Sequence, residues 1–171
     1  MGQSGSAGEK NSGSMREESQ EPHAAAPQAK LPNYCFGCGQ ANAAGMHLEF
    51  SLDEEQRKVT GTFALGERYQ GAPGIIHGGI VALVLDEGLS KVSRLYGVLA
   101  VTAELNVEYL RPVRVGQEIH FEARKERSDG SHLYYAGEIR DTKGRVLARA
   151  RARFVVVDAE RFARVAGSGP E

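Results

Sequence analysis

One long segment of the chain, residues 80–96, has the spacing of an amphipathic helix, whereas the other apolar segments alternate as strands do. Its apolar side chains share one broad stripe: Ile80, Val81, Val84, Leu85, Leu89, Val92 and Leu95. Gly97 follows as the expected end of the helix. Because this is the only long helix in the pattern, it must bury its stripe against a sheet, which predicts an α+β fold.

Gly88 lies near the middle of the apolar stripe, where glycine destabilises a helix by about 1 kcal/mol relative to alanine. The simplest reason for a glycine there is close approach of the helix backbone to the sheet. We therefore expect a sheet that wraps tightly around the helix.

Strand-like alternation occurs on both sides of the helix. Before it, residues 46–52 and 58–64 alternate, and a charged turn separates them. After it come four more alternating segments: 101–109, 119–123, 133–140 and 146–156. The predicted order is β-β-α-β-β-β-β in a mainly antiparallel sheet. Since one helix covers only one face of such a sheet, we expect pairing with a second copy.

The composition excludes several classes of function. The 171 residues are 41% apolar, enough for one domain with a core. A net charge of −1 argues against a basic nucleic-acid-binding domain. The sequence has no run of roughly 18 uncharged apolar residues and no signal-peptide pattern at its start, so we expect a cytoplasmic protein that binds neither nucleic acid nor membranes.

The domain boundaries follow from where large apolar residues occur. Residues 1–30 contain no Val, Ile, Leu, Phe, Tyr, Trp or Cys and cannot offset the entropy of ordering, so we expect a disordered tail. The folded domain is expected at 31–158, with a short C-terminal tail at 159–171.

The strongest functional signal is the motif Ile76-His77-Gly78-Gly79 at the start of the helix. The glycines let a ligand approach the backbone, and the first helical turn offers N–H groups that have no intrahelical acceptor. Together with the helix dipole, the amides of Gly78 and Gly79 can stabilise negative charge on a carbonyl oxygen. The sequence therefore predicts an oxyanion site.

Two acids on the helix are candidates for the chemistry. At 100° per residue, Asp86 and Glu87 lie on opposite sides of the apolar stripe. Glu87 has Lys91 four residues later, a favourable order for an ion pair, so we expect Glu87 to be solvated. Only small side chains share the side of Asp86: Ala82, Ser90 and Ser93. The spacing favours Asp86 as base or nucleophile and keeps Glu87 as the alternative acid.

These motifs resemble a known family. The His77 motif, Leu85-Asp86-Glu87 and the strand from Thr102 to Pro112 are similar to hotdog-fold acyl-CoA thioesterases of the phenylacetate type, in the 4-hydroxybenzoyl-CoA thioesterase superfamily. Cys35-Phe36-Gly37-Cys38-Gly39 with Gly45-Met46-His47-Leu48 resembles the N-terminal signature of one subgroup. The resemblance implies a hotdog fold, a central helix wrapped by a mainly antiparallel sheet, and a homodimer or homotetramer.

The resemblance also implies roles for single residues. The Gly78 N–H would bind the thioester carbonyl, His77 would support that end of the pocket, and Asp86 would act as base or nucleophile. Thr102 would help to position water. Further substrate contacts are expected at Gly79, Glu87, Asn106 and Arg111. The site would lie between two protomers, and the implied reaction converts acyl-CoA to free acid and coenzyme A with no metal or organic cofactor.

Two other functions stay open from the sequence. A hotdog hydratase or dehydratase would use a histidine and an acid on the α and β carbons of the acyl chain. His77 lies in a glycine turn, and this position suits a residue that supports a thioester carbonyl better than one that removes a proton from the acyl chain. A non-catalytic acyl-CoA-binding protein would use the same pocket without turnover, but residues 1–30 show no pattern of an effector domain.

Cys35 and Cys38 have the spacing of a redox pair or of half a metal site. The sequence contains no further cysteine, and its histidines lack ligand spacing, so we favour two semi-buried thiols in a tight turn.

Several arginines are candidates for binding the phosphates of coenzyme A. Arg111 and Arg114 follow the Thr102 strand and are exposed candidates. Arg149, Arg151 and Arg153 form a stripe for which we expect cross-strand ion pairs with Glu122 and Glu138.

Overall fold

The long helix α1, Gly78–Val92, packs on one face of a six-stranded antiparallel sheet in a computed structural model that describes residues 32–167. The strands are β1 Ser51–Asp53, β2 Lys58–Ala64, β3 Ala100–Tyr109, β4 Glu118–Asp129, β5 His132–Asp141 and β6 Val146–Val156. Their order in the sheet is β1-β2-β4-β5-β6-β3. This arrangement confirms the predicted α+β hotdog fold and the predicted order of its elements.

The helix α1 forms where the periodicity predicts it, with small differences at its ends. It begins two residues earlier than the apolar stripe, and its last turn tightens into a 3₁₀ helix at Ser93–Tyr96. Gly97 ends the segment with φ 64°, a left-handed conformation that favours glycine. The fully buried side chains of Val84, Leu85 and Leu89 each stabilise the fold by roughly 1.5–3 kcal/mol.

The helix lies close to the sheet at Gly88. A Cβ atom there would overlap the ring of Phe121 on β4 and lie 2.8 Å from Cε1 of Phe50. These two rings pack edge to face, with centroids 5.5 Å apart. The predicted close approach is confirmed, and aromatic rings occupy the volume that a side chain at Gly88 would need.

A β-bulge changes the face to which Thr102 points. Simple alternation along residues 101–109 predicts that Thr102 lies on the same face of the strand as Glu104. In the structure, Thr102 lies opposite Phe154 and Glu104 opposite Arg153, so Ala103 is an extra residue on β3. Phe154 is fully buried on the helix side of the sheet, and Thr102 therefore joins that side. The bulge corrects the sequence interpretation at this position.

The strand predicted at residues 46–52 is largely wrong, since only Ser51–Asp53 forms a strand. His47 has φ 52°, which breaks an extended conformation. The backbone before β1 instead binds the turn at residues 35–39, called here the cysteine turn. The N–H groups of Met46 and Leu48 donate to the carbonyls of Phe36 and Gly37, both at 2.8 Å. This segment therefore lies against the N-terminal turn.

The face of the sheet opposite α1, called here the outer face, is charged. Its arginine stripe forms cross-strand ion pairs as expected, but with other partners: Arg149 with Glu108, Arg151 with Glu126 and Arg153 with Glu104. The predicted partners Glu122 and Glu138 bind Arg124 and Arg140 instead, because these lie two residues away on the same strands.

The predicted tails have different outcomes. The tail predicted at residues 1–30 lies outside the described residues. The segment expected to be a C-terminal tail contains a second helix, α2, at Ala159–Gly167. Neither this helix nor any other within residues 32–167 has the length and apolar character needed to cross a membrane.

We predict that Gly88→Ala destabilises the protein by about 1–3 kcal/mol, because the added methyl group must displace packed aromatic rings. The measurement is the free energy of unfolding in urea. Gly66→Ala is the matched control, since a Cβ at Gly66 meets no atom within 4 Å and its φ of −79° suits alanine. Equal stability of Gly88→Ala and the wild-type protein would contradict the close contact.

Candidate active site

The start of α1 leaves one amide available to a ligand. The Gly79 N–H donates to Nδ1 of His77 at 2.9 Å, and the N–H groups of Ile80 and Val81 donate to the His77 carbonyl at 2.9 and 3.2 Å. Within residues 32–167 no acceptor is recorded for the Gly78 N–H. Gly78 is therefore the free donor of this turn, whereas Gly79, which we expected to serve as a second donor, is already capped.

The hydrogen bond from Gly79 also defines the state of the His77 ring. Because Nδ1 accepts the hydrogen bond from the Gly79 N–H, the neutral imidazole carries its own hydrogen on Nε2. The backbone N–H of His77 donates to the Tyr69 carbonyl at 2.8 Å, and a Cβ at Gly71 would lie 3.0 Å from the His77 Cα. His77 is thus a fixed helix cap whose ring has one further donor, Nε2–H.

Tyr109 is a residue of this region that the sequence analysis missed. Its hydroxyl donates to the Gly78 carbonyl at 3.0 Å and so fixes the peptide that follows the free amide. Alternation along β3 could have found it, because Tyr109 shares the helix side of the strand with Leu105 and Val107. The sequence pattern identifies Tyr109 only as the last residue of the alternating segment 101–109.

A cavity of about 340 Å³, called here the Gly78 cavity, joins Gly78 and Tyr109 to the predicted Arg111. Its other lining residues are mostly apolar, among them Ile76, Val81 and Val113. The Arg111 guanidinium donates to the Val146 carbonyl at 2.7 Å, which holds the side chain at the cavity. The volume lies in the range of small-molecule sites.

Asp86 and Thr102 are brought together by the fold. The Thr102 hydroxyl donates to Oδ1 of Asp86 at 2.9 Å, and the β3 bulge is what turns Thr102 toward the helix. Asp86 is half-buried, and this bond leaves its second oxygen free to accept a proton. A strand and a helix thus supply an acid and a hydroxyl to one point on the surface.

Glu87 is not solvated, contrary to the sequence interpretation. Its side chain is only 13% exposed and forms an ion pair with Lys91. The Cys35 thiol also donates to its Oε2 at 3.4 Å. Burial raises the pKa of Glu87, but hydrogen bonds from Cys38 and Lys91 outweigh it and hold the pKa below its usual range. The predicted ion pair between Glu87 and Lys91 is confirmed, but the turn that carries Cys35 and Cys38, about 50 residues earlier in the sequence, covers it.

Asn106 lies apart from the other predicted substrate contacts. It points to the outer face, where it lines a second cavity of about 490 Å³ with Arg149 and Arg151. Leu105 and Val107 alternate with it toward the helix, so the sheet separates Asn106 from Asp86. Arg114 is exposed, and its backbone N–H donates to Gln117.

The two halves of the predicted site are well separated within one chain. Gly78 and Asp86 are eight residues apart on one helix, which corresponds to roughly 12 Å at 1.5 Å per residue. A carbonyl bound at Gly78 is therefore out of reach of the Asp86 of the same chain, since reacting atoms must come within about 3.5 Å.

Comparison with known proteins agrees with this fold. The family model described as thioesterase superfamily matches residues 73–148, a span that contains His77, Gly78, Asp86 and Thr102. Over this segment the chain is similar to the thioesterase superfamily. A crystal structure of a thioesterase superfamily protein superposes with a TM-score of 0.65 at 32% identity, covering 68% of this chain and 60% of that one.

Two further relatives extend the comparison. The acyl-coenzyme A thioesterase THEM4 of Rattus norvegicus is 24% identical over 120 residues, which cover 68% of this chain and 52% of that protein. The PaaI protein of E. coli, from its phenylacetic acid degradation operon, has a TM-score of 0.57 at 18% identity, covering 60% of this chain and 74% of that one. The chain spans about half the length of the THEM4 relatives, while PaaI shares the hotdog fold.

We predict that His77→Ala destabilises the folded domain by about 0.5–2 kcal/mol, because the Gly79 amide loses its cap. His77→Asn should recover most of this loss, since the asparagine oxygen is also a good N-cap acceptor. Urea unfolding of the three proteins measures the difference. Equal stability of the Ala and Asn variants would show that the cap contributes little.

Proposed function

We propose that this domain hydrolyses an acyl-CoA thioester to a free acid and coenzyme A. The observation that carries the proposal is the 2.9 Å hydrogen bond between Thr102 and Asp86, within a segment similar to the thioesterase superfamily. It gives a half-buried carboxylate one oriented oxygen and one free oxygen beside a hydroxyl that can accept a hydrogen bond from water. Such an arrangement suits a general base that activates water.

The Gly78 amide supplies the second part of the proposed reaction. It is the free N–H of the first turn of α1, at the positive end of the helix dipole. Backbone donors of this kind stabilise the oxyanion that forms when a carbonyl is attacked, and removing one typically lowers the rate by roughly 10²–10³. The Tyr109 hydroxyl on the Gly78 carbonyl keeps this region of the turn in place.

Two copies of the chain are needed for the complete site. Since Gly78 and Asp86 of one chain lie roughly 12 Å apart along the helix, we infer that Asp86 acts on a thioester bound at Gly78 of a second copy. The sheet supplies a place for such pairing: β3 is an edge strand, with β6 as its neighbour among the described strands, and carries Thr102. A homodimer is therefore part of the proposal.

The proposed steps balance without a cofactor. Asp86 takes a proton from a water molecule, and the resulting hydroxide attacks the thioester carbonyl carbon. The oxyanion is held by the Gly78 N–H of the second copy until the C–S bond breaks. The coenzyme A thiolate leaves and is protonated, and Asp86 returns its proton to solvent.

The state of His77 favours hydrolysis over hydration of the acyl chain. A hydratase or dehydratase needs a basic imidazole nitrogen near the α or β carbon. The basic nitrogen here, Nδ1, already accepts a hydrogen bond from the Gly79 N–H, so the remaining ring nitrogen, Nε2, is a donor and not a base. Product analysis by mass distinguishes the reactions: hydrolysis releases acid and thiol, while hydration changes the substrate mass by one water.

We predict that Asp86→Asn lowers kcat for acyl-CoA hydrolysis by about 10²–10⁴, the usual contribution of a general base. The amide is isosteric, so the dissociation constant for coenzyme A should stay the same. Release of free thiol from acyl-CoAs with short, long and aromatic acyl groups measures turnover and also identifies the preferred acyl group.

The matched control is Glu104→Gln, an acid on the outer face of β3 that pairs with Arg153 away from α1. It should hydrolyse at the wild-type rate. Near-normal turnover by Asp86→Asn, together with loss of turnover in Glu87→Gln, would transfer the role of base to Glu87. Absence of thiol release by the wild-type dimer across the whole panel, despite binding, would favour a non-catalytic acyl-CoA-binding protein.

We predict a smaller effect for Thr102→Val, which removes the hydroxyl while keeping the shape of the side chain. A loss of about 10- to 100-fold in kcat with little change in KM is expected, because Asp86 and its water lose their orientation. Thr102→Ser retains a hydroxyl and should restore most of the rate. A Val variant with wild-type kcat would remove Thr102 from the mechanism.

A further inference from the structure

A second cluster of reactive side chains lies on the side of α1 away from Asp86. The Sγ atoms of Cys35 and Cys38 and a carboxylate oxygen of Glu87 all lie within 4.8 Å of one another. Both cysteines are free thiols in the structure. The proposed hydrolysis uses none of these three groups. Their convergence needs a separate explanation, since they come from two segments about 50 residues apart in sequence.

We propose that Cys35, Cys38 and Glu87 bind one Zn²⁺ ion. Thiolate sulfur and carboxylate oxygen are both ordinary zinc ligands, and two sulfurs select zinc over calcium or magnesium. The sequence provided only the two cysteines, and folding adds Glu87 as the third ligand. Cys35 is exposed, so solvent has access to a fourth coordination position.

Gly37 makes room for the carboxylate between the two thiols. A Cβ at this position would lie 2.5 Å from Oε2 and 2.9 Å from Cδ of Glu87. A side chain at position 37 would push the Glu87 carboxylate away from the thiols. The glycine in Cys-Phe-Gly-Cys therefore has a direct physical reason, and that reason is the approach of the third ligand.

The turn that carries Cys35 and Cys38 is closed by its own hydrogen bonds. The Gly39 N–H donates to the Cys35 carbonyl at 2.8 Å, and a Cβ at Gly39 would lie 2.5 Å from Cys35 backbone atoms. The Asn33 side chain accepts the Cys35 N–H at 3.0 Å and places its own amide 3.6 Å from the Cys38 Sγ. A preformed dithiol turn loses less conformational entropy when it binds a metal.

Lys91 balances the charge of the cluster. Its ammonium is nearly buried, 3.1 Å from the Cys38 Sγ, and pairs with Glu87. With both thiols protonated, the Glu87 and Lys91 charges cancel. Exchange of two thiol protons for one Zn²⁺ leaves the total unchanged, so the buried lysine tolerates the ion. An ammonium that donates to a zinc-bound thiolate also stabilises its negative charge.

The ion would join the N-terminal segment to the helix that carries Asp86. The Met46 and Leu48 N–H groups already bind the cysteine turn, and Glu87 is the residue after Asp86. Zinc bound here would therefore hold residues 35–48 against α1 without touching the proposed substrate.

The experiment is a titration of the full-length, reduced protein with Co²⁺, a spectroscopic substitute for Zn²⁺. One Co²⁺ per chain should bind and give sulfur-to-metal charge-transfer and tetrahedral d–d absorption bands, which added Zn²⁺ should abolish. Cys38→Ser should lose the charge-transfer band. Glu87→Gln and Gly37→Ala keep both thiols and should weaken binding by at least about 10-fold, because each removes or displaces the third ligand.

Gly66→Ala is the matched glycine control and should bind Co²⁺ as the wild-type protein does, since its position is open.

Zn²⁺ should also slow the oxidation of Cys35 and Cys38 to a disulfide by hydrogen peroxide. Absence of stoichiometric binding, identical binding by Glu87→Gln, or a disulfide that forms equally fast with and without Zn²⁺ would each overturn the proposal. These measurements do not involve thioester hydrolysis, so they stand apart from the proposed function.

Discussion

The contact between the Gly88 backbone and the Phe121 ring fixes the rest of the structure. It sets both the distance and the rotation of α1 relative to the sheet, because no side chain at Gly88 can hold them apart. Once the rotation is fixed, the two acids before Gly88 point in opposite directions. Asp86 meets Thr102 at the β3 edge, and Glu87 meets the cysteine turn. One packing contact thus assigns different chemistry to adjacent carboxylates.

The elements of the fold follow from sequence periodicity, because burial against one partner surface imposes a period of 3.6 or 2. The helix, the order of the strands along the chain and the close approach of the helix to the sheet at Gly88 could therefore be predicted. Residues 46–50 could not, because Met46 and Leu48 alternate like a strand while their N–H groups bind a turn ten residues earlier. The local sequence pattern does not show whether backbone N–H groups bond to a neighbouring strand or to a turn.

The site divides in the same way between local and long-range causes. His77, Gly78 and Asp86 lie on one helix, where spacing determines geometry, and their positions could be predicted. The approach of Thr102 depends on a one-residue bulge, which alternation cannot reveal. The burial of Glu87 depends on Cys35, whose distance in sequence hides the contact. In the first turn of α1, the His77 ring accepts a hydrogen bond from the Gly79 amide. This contact leaves Gly78, and not Gly79, as the amide available to a ligand.

The geometry of α1 links the proposed catalysis to assembly. Placing the free amide and the carboxylate at separate points along one helix, roughly 12 Å apart, prevents a single chain from bringing both to one carbonyl. The β3 edge carries Thr102 at the place where another strand can add, so edge pairing would both extend the sheet and complete the site. In the proposed mechanism the β3 edge must stay open, because a helix or loop of the same chain laid over it would exclude the second copy whose Gly78 amide is proposed to bind the oxyanion.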